Sequence, residues 1–271
     1  MKKARFFPAY LVIVLIIMYL PIVLVILYSF NINKINSIWS GFTLSWYADL
    51  FRDRSMFEAL LNSLILALLA SLSAAVIGTL GVTGMVRMRM SGTANKLRLT
   101  SGKIIEYLSI LPIMTPEIIM GMTFLAFFSL LALPFGMFTL VIAHTAFCVP
   151  YVYILVRGRL AGLDKSYIEA ARIMGATEMR AFYDITLPLV FPAVISGMLI
   201  SFAMSFDDVI VSVFVAGVHT NTLPMKIYSQ LKTGVTPKVN AMCTLIFLFT
   251  LILCLIAVTL VKKTKSARIA A

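Results

Sequence analysis

Three acidic side chains lie deep inside long apolar stretches of this sequence, namely Glu117, Asp207 and Asp208, whereas Glu106 lies near the start of its stretch. A charge at the centre of a membrane-spanning helix costs about 2.5 kcal/mol or more, so such residues normally face a cavity, a partner or a transport path. The same stretches contain no lysine or arginine that would neutralise the acids. A cationic cargo would form charge-assisted hydrogen bonds with these carboxylates, whereas an anionic cargo would be repelled. Structural hydrogen bonding between subunits is the alternative.

Glu117 follows two prolines and precedes aromatic residues on its own helical face. It lies about 13 residues into its apolar stretch, which predicts a position close to the bilayer midplane. Pro112 and Pro116 remove backbone N–H donors, and irregular backbone at this depth is tolerated where it lines a cavity or packs against protein. The helical face that holds Glu117 also carries, at the spacings i+4, i+7 and i+11, the residues Gly121, Phe124 and Phe128. An aromatic ring such as Phe124 also attracts a cation.

The paired acids Asp207 and Asp208 belong to a second polar region. One helix face, at the spacings i, i+4, i+7 and i+11, carries Ser201, Ser205, Asp208 and Ser212. Serines alone would favour helix packing, but adjacent acids repel each other and need a compensating charge. The residues that we assign to a substrate path are therefore Glu117, Phe124, Ser205, Asp207 and Asp208. His144, in another apolar stretch, is expected to form a helix–helix hydrogen bond rather than to bind a ligand.

The elements that position these residues must lie in a membrane. The chain has 271 residues, of which 61% are hydrophobic and only 13% charged, and this composition excludes a soluble globular domain. Roughly 20 apolar residues cross the hydrocarbon. Six such stretches, at about 9–30, 60–86, 104–131, 137–157, 189–216 and 239–261, predict an all-α membrane protein with a single domain over residues 1–271. The cysteines show no disulfide or metal-ligand spacing, so we expect no metal site.

The distribution of positive charge orients the chain. The net charge is +12, which might indicate a nucleic-acid partner if the charge formed one patch. Instead, most of the 23 Lys and Arg fall in the two termini and in the loops at 87–103 and 157–188. This asymmetry predicts that both termini and both of those loops are cytoplasmic, and that the chain binds no nucleic acid.

The loop at about 158–188 carries a spaced motif, E-A-A-x-x-x-G followed by I-x-L-P. Its seven fixed positions are Glu169, Ala170, Ala171, Gly175, Ile185, Leu187 and Pro188. Asp164 and Thr177 can each cap a helix, Gly175 stands where a left-handed C-cap is expected, and Pro188 bounds the second helix. The loop is thus predicted to be helix, corner, helix, with Ile168, Ala171 and Met174 on a face that suits a partner's groove. An amphipathic loop helix lying on the membrane is the alternative.

The motif resembles the "EAA" loop of ABC-importer membrane subunits, and matches it at all seven positions. Further segments resemble the polyamine branch of these permeases, which import spermidine and putrescine. They are residues 28–31, 41–43, 46–47, 111–112, 115–117, 205–209 with Ser212, 223–229 and 234–241. Two departures from that branch are Glu117, where an aspartate is expected, and His219, in a loop where no histidine is expected.

The resemblance implies a type I ABC importer permease in a bacterial inner membrane. This chain would pair with a second, related permease subunit, and two ATPase subunits would contact the loop at 158–188. An extracytoplasmic binding protein would deliver the polyamine. ATP and Mg²⁺ would bind the ATPase, because this chain has no G-x-x-x-x-G-K-[ST] loop, no catalytic residues and no cofactor of its own.

Two other functions fit parts of the sequence. The chain could serve an ABC importer for another small solute. It could also be an ion-driven secondary transporter in which the acids form a proton relay. The register of the seven-residue motif argues against the secondary transporter.

Overall fold

The computed structural model describes residues 3–34, 38–90, 96–164, 166–218 and 220–252. In these ranges the chain is helical, apart from connecting segments and one isolated antiparallel bridge between Asn31 and Phe42. The helices are α1 (Lys3–Tyr28), α2 (Ser45–Arg52), α3 (Arg54–Met90), α4 (Lys96–Met114), α5 (Glu117–Leu130), α6 (Met137–Ala161), α7 (Ser166–Ile173), α8 (Glu178–Ala181), α9 (Leu187–Asp207), α10 (Ile210–Val215), α11 (Leu223–Thr233) and α12 (Pro237–Ile252). His219 and the end of the sixth apolar stretch lie outside the described residues.

The apolar helices agree with a membrane protein. Four helical segments are long and apolar enough to cross a bilayer, namely Tyr10–Tyr28, Arg54–Val86, Met137–Ala161 and Glu178–Asp207. The bent pair Ile104–Met114 and Glu117–Leu130 provides a fifth crossing if it is one span. In the described residues the sixth stretch forms a shorter apolar helix, α12. The all-α prediction is therefore confirmed for the described residues, whereas six crossings stay a prediction.

The third apolar stretch is broken beside Pro116, in agreement with the prediction that its two prolines disturb the helix. Its two parts, in α4 and α5, meet at an angle of 112°. Pro116 lacks an N–H and disfavours helical backbone at Thr115, and α5 starts anew with the Pro116 carbonyl accepting from the N–H of Met120 at 3.1 Å. Glu117 is consequently the first residue of α5 rather than a residue deep inside a continuous helix.

The fifth apolar stretch is also broken, and the predicted continuous serine face is wrong. Helix α9 ends at Asp207, and Asp208 has an extended backbone with φ −68° and ψ 130°. The Asp208 carboxylate accepts from the backbone N–H groups of Val211 and Ser212, at 3.2 and 2.8 Å. An aspartate that bonds to nearby backbone competes with helix continuation, so Asp208 separates α9 from α10.

The chain divides into two compact units, and residues 58–225 form one of them. Its centre is an antiparallel contact of α6 with α9, in which Val152 faces Gly197 and Cys148 faces Ser201. A β-carbon at Gly197 would lie only 2.8 Å from Cα of Val152, so glycine allows the two backbones to approach. The small face of α3 packs here as well, with Ala70, Ala74 and Gly78 at every fourth position.

The second unit comprises residues 1–57 and 226–271. The segment after α1 is tied back to that helix, because Nε1 of Trp46 donates to the carbonyl of Asn31 at 2.8 Å and the Tyr47 hydroxyl lies 2.6 Å from Oγ of Ser29. Nζ of Lys238 donates to Asp53 at 3.0 Å. That hydrogen bond is the largest influence that lowers the pKa of the Asp53 carboxyl below its usual value of 3.8.

Candidate functional site

The loop between α6 and α9 forms the predicted helix, corner and helix. Helix α7 begins where Asp164 accepts from the N–H of Ser166 at 2.9 Å, which also lowers the pKa of the exposed Asp164 carboxyl. It ends at Gly175, whose φ is +83°. The N–H of Gly175 donates to the carbonyl of Arg172, and that of Ala176 to the carbonyl of Ala171, both at 3.0 Å. This pairing is a Schellman cap, which glycine adopts without steric cost.

The second half of the loop begins with the predicted short helix, α8. Thr177 caps α8, accepting from the N–H of Arg180 at 3.3 Å. Pro188 lies in the first turn of α9, near the start of the next apolar stretch as predicted. Helix α8 is not isolated, because a π-helical turn over Phe182–Thr186 joins it to α9, with the N–H of Leu187 donating to the carbonyl of Phe182, and residues Glu178–Asp207 form one apolar helical segment.

The seven motif residues fall on two different surfaces. Ala171 is buried within the chain, so the prediction that Ala171 lies on the docking face is wrong. Its neighbours Glu169 and Ala170 are exposed, and the exposed apolar side chains of this loop include Ile173 and Met174, each 87% accessible. The second part of the motif lies at the joint with α9 and consists of Ile185, Leu187 and Pro188.

A buried polar cluster occupies the break between α9 and α10. The His144 ring, on α6, is fully buried. Its Nδ1 lies 2.8 Å from Oγ of Ser205 on α9, and its Nε2 lies 3.0 Å from Oγ of Ser212 on α10. Nε2 is also 3.4 Å from the carboxylate of Asp208. The predicted helix–helix hydrogen bonding of His144 is confirmed.

This cluster changes the interpretation of two predicted substrate-path residues. The apolar stretches that hold the acids contain no lysine or arginine, and the structure instead places His144 against Asp208. The Asp208 side chain is only 6% exposed, and Ser205 is buried. Both residues are engaged in hydrogen bonds inside the chain, so the geometry supports a structural role for them.

The other predicted path residues remain accessible. The carboxylates of Glu117 and Asp207 are exposed, and neither forms a hydrogen bond or ion pair with any residue that the structure describes. Phe124 is half-buried and stacks on Phe128, with ring centroids 5.7 Å apart. Helix α5 packs against α10 closely enough that a β-carbon at Gly121 would lie 2.5 Å from the Phe214 ring.

Sequence reasoning missed one ion pair at the ends of two apolar helices. Arg157, near the end of α6, pairs with Glu106 in α4. Two residues further on, Nε of Arg159 donates to the carbonyl of Leu189 at 3.1 Å, which joins α6 to the start of α9. Both arginines belong to the positively charged loop, and that was the only signal in the sequence. Among the described residues, no group of three His, Cys, Asp or Glu is arranged to hold a metal.

Comparisons with known proteins show which family the sequence matches. A family model described as "binding-protein-dependent transport system inner membrane component" matches residues 91–266. The spermidine/putrescine transport system permease protein PotC of Haemophilus influenzae is 36% identical over 262 residues, covering 96% of this chain and 98% of that protein. The putrescine transport system permease protein PotI of Escherichia coli (strain K12) is 37% identical over 235 residues, covering 84% of this chain and 81% of its own.

Solved structures share the fold at low sequence identity. A bacterial ABC transporter involved in the import of the acidic polysaccharide alginate has a chain that superposes with a TM-score of 0.71 at 14% identity, covering 96% of this chain and 98% of that one. The MetNI methionine ABC transporter, in an inward-facing conformation, gives a TM-score of 0.57 at 18% identity, covering 74% of this chain and 93% of its own. At these identities the likeness supports the fold alone.

Proposed function

Because the chain belongs to the family of binding-protein-dependent transport system inner membrane components, we propose that it is the membrane-spanning subunit of an ATP-driven importer of polyamines. It forms half of the translocation path for spermidine or putrescine and does no bond chemistry itself. The relatives named for these cargoes, PotC and PotI, align with most of its length. The family is one of inner membrane components, and several helices of this chain are long and apolar enough to cross a bilayer.

The observation that carries the proposal is the pair of accessible acids, Glu117 and Asp207, which have no hydrogen-bond or ion-pair partner among the described residues. Glu117 is the first residue of α5 and Asp207 is the last residue of α9, so each lies beside a helix break. Irregular backbone of this kind is tolerated beside a cavity. An ammonium group of the cargo would supply the positive charge that no described residue places against these two carboxylates. Phe124 stands two helical turns from Glu117, and its ring face would add a cation–π contact.

Coupling to an ATPase rests on the loop between α6 and α9. Glu169 and Ile173 are exposed on α7, a short helix whose ends are fixed by caps, and Met174 is exposed in the turn that follows it. A rigid apolar helix of this kind suits a partner's groove. Because α8 continues into α9 without a break, a push on the loop would move the segment that ends at Asp207.

The complete assembly follows the type I importer plan. It has six crossings in this chain, both termini in the cytoplasm, a second related permease, two ATPase subunits and an extracytoplasmic polyamine-binding protein. ATP and Mg²⁺ bind the ATPase subunits. The basic termini and loops support this orientation, because positive residues are retained on the cytoplasmic side.

The fold by itself does not fix the cargo. A structural neighbour takes part in the import of an acidic polysaccharide, so related helices serve cargoes of opposite charge. An importer for another small solute is therefore the second candidate. The acids favour a cation over an anion, and a carrier driven by an ion gradient would require no ATPase-contacting loop.

The test is uptake by the reconstituted complex. Proteoliposomes contain this chain, its partner permease and the ATPase, with ATP inside and the binding protein outside. We expect labelled putrescine or spermidine to enter only when ATP and the binding protein are both present. Uptake that persists without ATP but disappears with a protonophore would identify an ion-driven carrier. Uptake of neutral or anionic solutes in place of polyamines would identify another importer.

A further inference from the structure

Two adjacent acids, Asp207 and Asp208, lie in opposite environments at the end of α9. The Asp208 side chain is 6% exposed and accepts from two backbone N–H groups and from the Ser212 hydroxyl, the last at 2.8 Å. Asp207 is exposed and has no hydrogen-bond or ion-pair partner among the described residues. One carboxylate is thus committed to the helix break, and the other is available to a ligand.

We propose that His144 is a positioning residue for transport, which holds the break between α9 and α10 so that Asp207 faces the cargo. The proposal rests on the proposed function. His144 does not itself contact the cargo, because its ring is fully buried. Asp208 holds the break together with His144, and Asp207 is the residue that the two of them position.

A chain of hydrogen bonds crosses the break. Nδ1 of His144 lies 2.8 Å from Oγ of Ser205, Nε2 lies 3.0 Å from Oγ of Ser212, and the Ser212 hydroxyl donates to Asp208 at 2.8 Å. A planar ring with a nitrogen on each side therefore links the last turn of α9 to the first turn of α10. Bonds in such a buried chain strengthen one another.

The ring itself has little freedom to move. It packs against the Phe147 ring with centroids 4.9 Å apart, on the face of α6 that contacts α9. One turn further along the same face, Sγ of Cys148 donates to the carbonyl of Ser201 at 3.3 Å, and the Ser201 hydroxyl returns a bond to the carbonyl of Cys148 at 3.2 Å. This second contact joins the same helices but lies away from the break, which makes Ser201→Ala the matched control.

The variants separate positioning from packing. His144→Asn keeps a short amide near Ser205 but removes the N–H that reaches Ser212, whereas His144→Gln keeps an N–H near the position of Nε2. In the reconstituted complex we expect His144→Asn to raise the KM for polyamine uptake by about tenfold, with a smaller effect on the maximum rate. His144→Gln should recover most of the affinity, and Ser201→Ala should change KM little.

A double-mutant cycle tests whether His144 acts through Asp207. Asp207→Asn should raise KM on its own, and adding His144→Asn should then raise it little further, because the residue being positioned has already lost its charge. Asp208→Asn keeps an acceptor for the backbone N–H groups but loses the carboxylate. Added to Asp207→Asn, it should likewise raise KM little further. Effects that multiply, or failure of both His144→Asn and Asp208→Asn to assemble, would mean that the cluster is structural only.

A second measurement does not depend on the cargo. In the purified complex carrying Asp207→Cys, reaction of that thiol with a polar maleimide is followed by peptide mass mapping. We expect His144→Asn to change the labelling rate at position 207 several-fold and Ser201→Ala to leave it unchanged. An unchanged rate in His144→Asn would overturn the positioning role. Lack of polyamine uptake by the wild-type complex would overturn the proposed cargo instead, while the labelling result would still decide this inference.

Discussion

Nη2 of Arg172 lies 3.0 Å from Oε1 of Glu178, so an ion pair spans the corner between α7 and α8. Both side chains are almost half exposed, and a pair of this kind contributes about 1 kcal/mol or less. The corner therefore depends mainly on its backbone, on the left-handed Gly175 and on the two caps that flank it. The ion pair only adds to a turn that the local sequence already specifies.

Gly175→Val should uncouple the permease while leaving it inserted in the membrane. The β-branched side chain opposes a φ of +83° and costs about 1 kcal/mol or more. We expect loss of ATPase co-purification and of ATP-driven uptake. The matched control is Gly158→Val, in α6, where an added β-carbon meets nothing within 4 Å. Normal uptake in Gly175→Val would show that the corner is not part of the coupling.

Glu169→Gln should weaken the contact with the ATPase. Glu169 is exposed on α7, so a partner group can reach its carboxylate, and loss of a charged hydrogen bond at an interface typically costs about 1.5–3 kcal/mol. We expect at least a tenfold fall in ATP-driven uptake. Asp184→Asn removes an exposed i,i+4 pair with Arg180 and serves as the control. Equal uptake by both variants would exclude a specific role for Glu169.

Gly197→Ala should destabilise the α6–α9 contact. The new methyl group would lie 2.8 Å from Cα of Val152, where only a backbone shift can relieve the overlap. Overpacking of this kind costs about 1–3 kcal/mol. The apparent melting temperature of the purified protein in detergent should fall. Gly81→Ala, on α3 with open space around the added atom, should not lower it; a fall of equal size there would contradict the packing argument.

Asp53→Asn should lower stability in a pH-dependent way. The folded pKa of Asp53 lies below 3.8, chiefly because Lys238 donates to it. Its contribution is therefore present above that pH and is lost as the pH falls through the folded value. We expect the melting temperature of Asp53→Asn to lie below that of the wild type near neutral pH, and this difference to disappear in strong acid. The control Asp49→Asn should have the melting temperature of the wild type. If the difference between Asp53→Asn and the wild type grew on acidification, the assigned direction of the pH dependence would be contradicted.

Local signals in the sequence predicted local structure well. The caps at Asp164 and Thr177 and the left-handed Gly175 were all predicted, because each depends on residues within one turn. A disturbed helix at Pro112 and Pro116 is predicted as well, but the size of the bend and the break at Asp208 are not. A proline can kink or end a helix, and the 112° bend is accompanied by packing of α5 on α10, which lies far away in the sequence.

In the candidate site, too, local features follow from the sequence and tertiary contacts do not. That acids lie at membrane depth follows from composition alone, but which acid is free does not. His144 and Asp208 are 64 positions apart, and their contact is a tertiary one that no helical spacing predicts. The prediction of a continuous serine face is wrong for a related reason. An aspartate can either continue a helix or cap the next one, and the buried partners of Asp208 favour the cap.

We propose that accessible acids of this chain bind a cationic cargo, and substitution of Glu117 tests this most directly. Glu117→Gln is nearly isosteric, and Glu117 has no partner among the described residues whose loss would disturb folding. The measurement is the initial rate of ATP-driven uptake of labelled spermidine and putrescine by proteoliposomes, with co-purification of all subunits as the check on assembly.

We predict that Glu117→Gln lowers this rate tenfold or more, which corresponds to about 1.4 kcal/mol of transition-state stabilisation. Glu117→Asp, which keeps the charge, should lose less and shift the preference between the two polyamines. Asp49→Asn, in the exposed helix α2, should transport normally. An assembled Glu117→Gln complex that takes up both polyamines at the wild-type rate would contradict the claim.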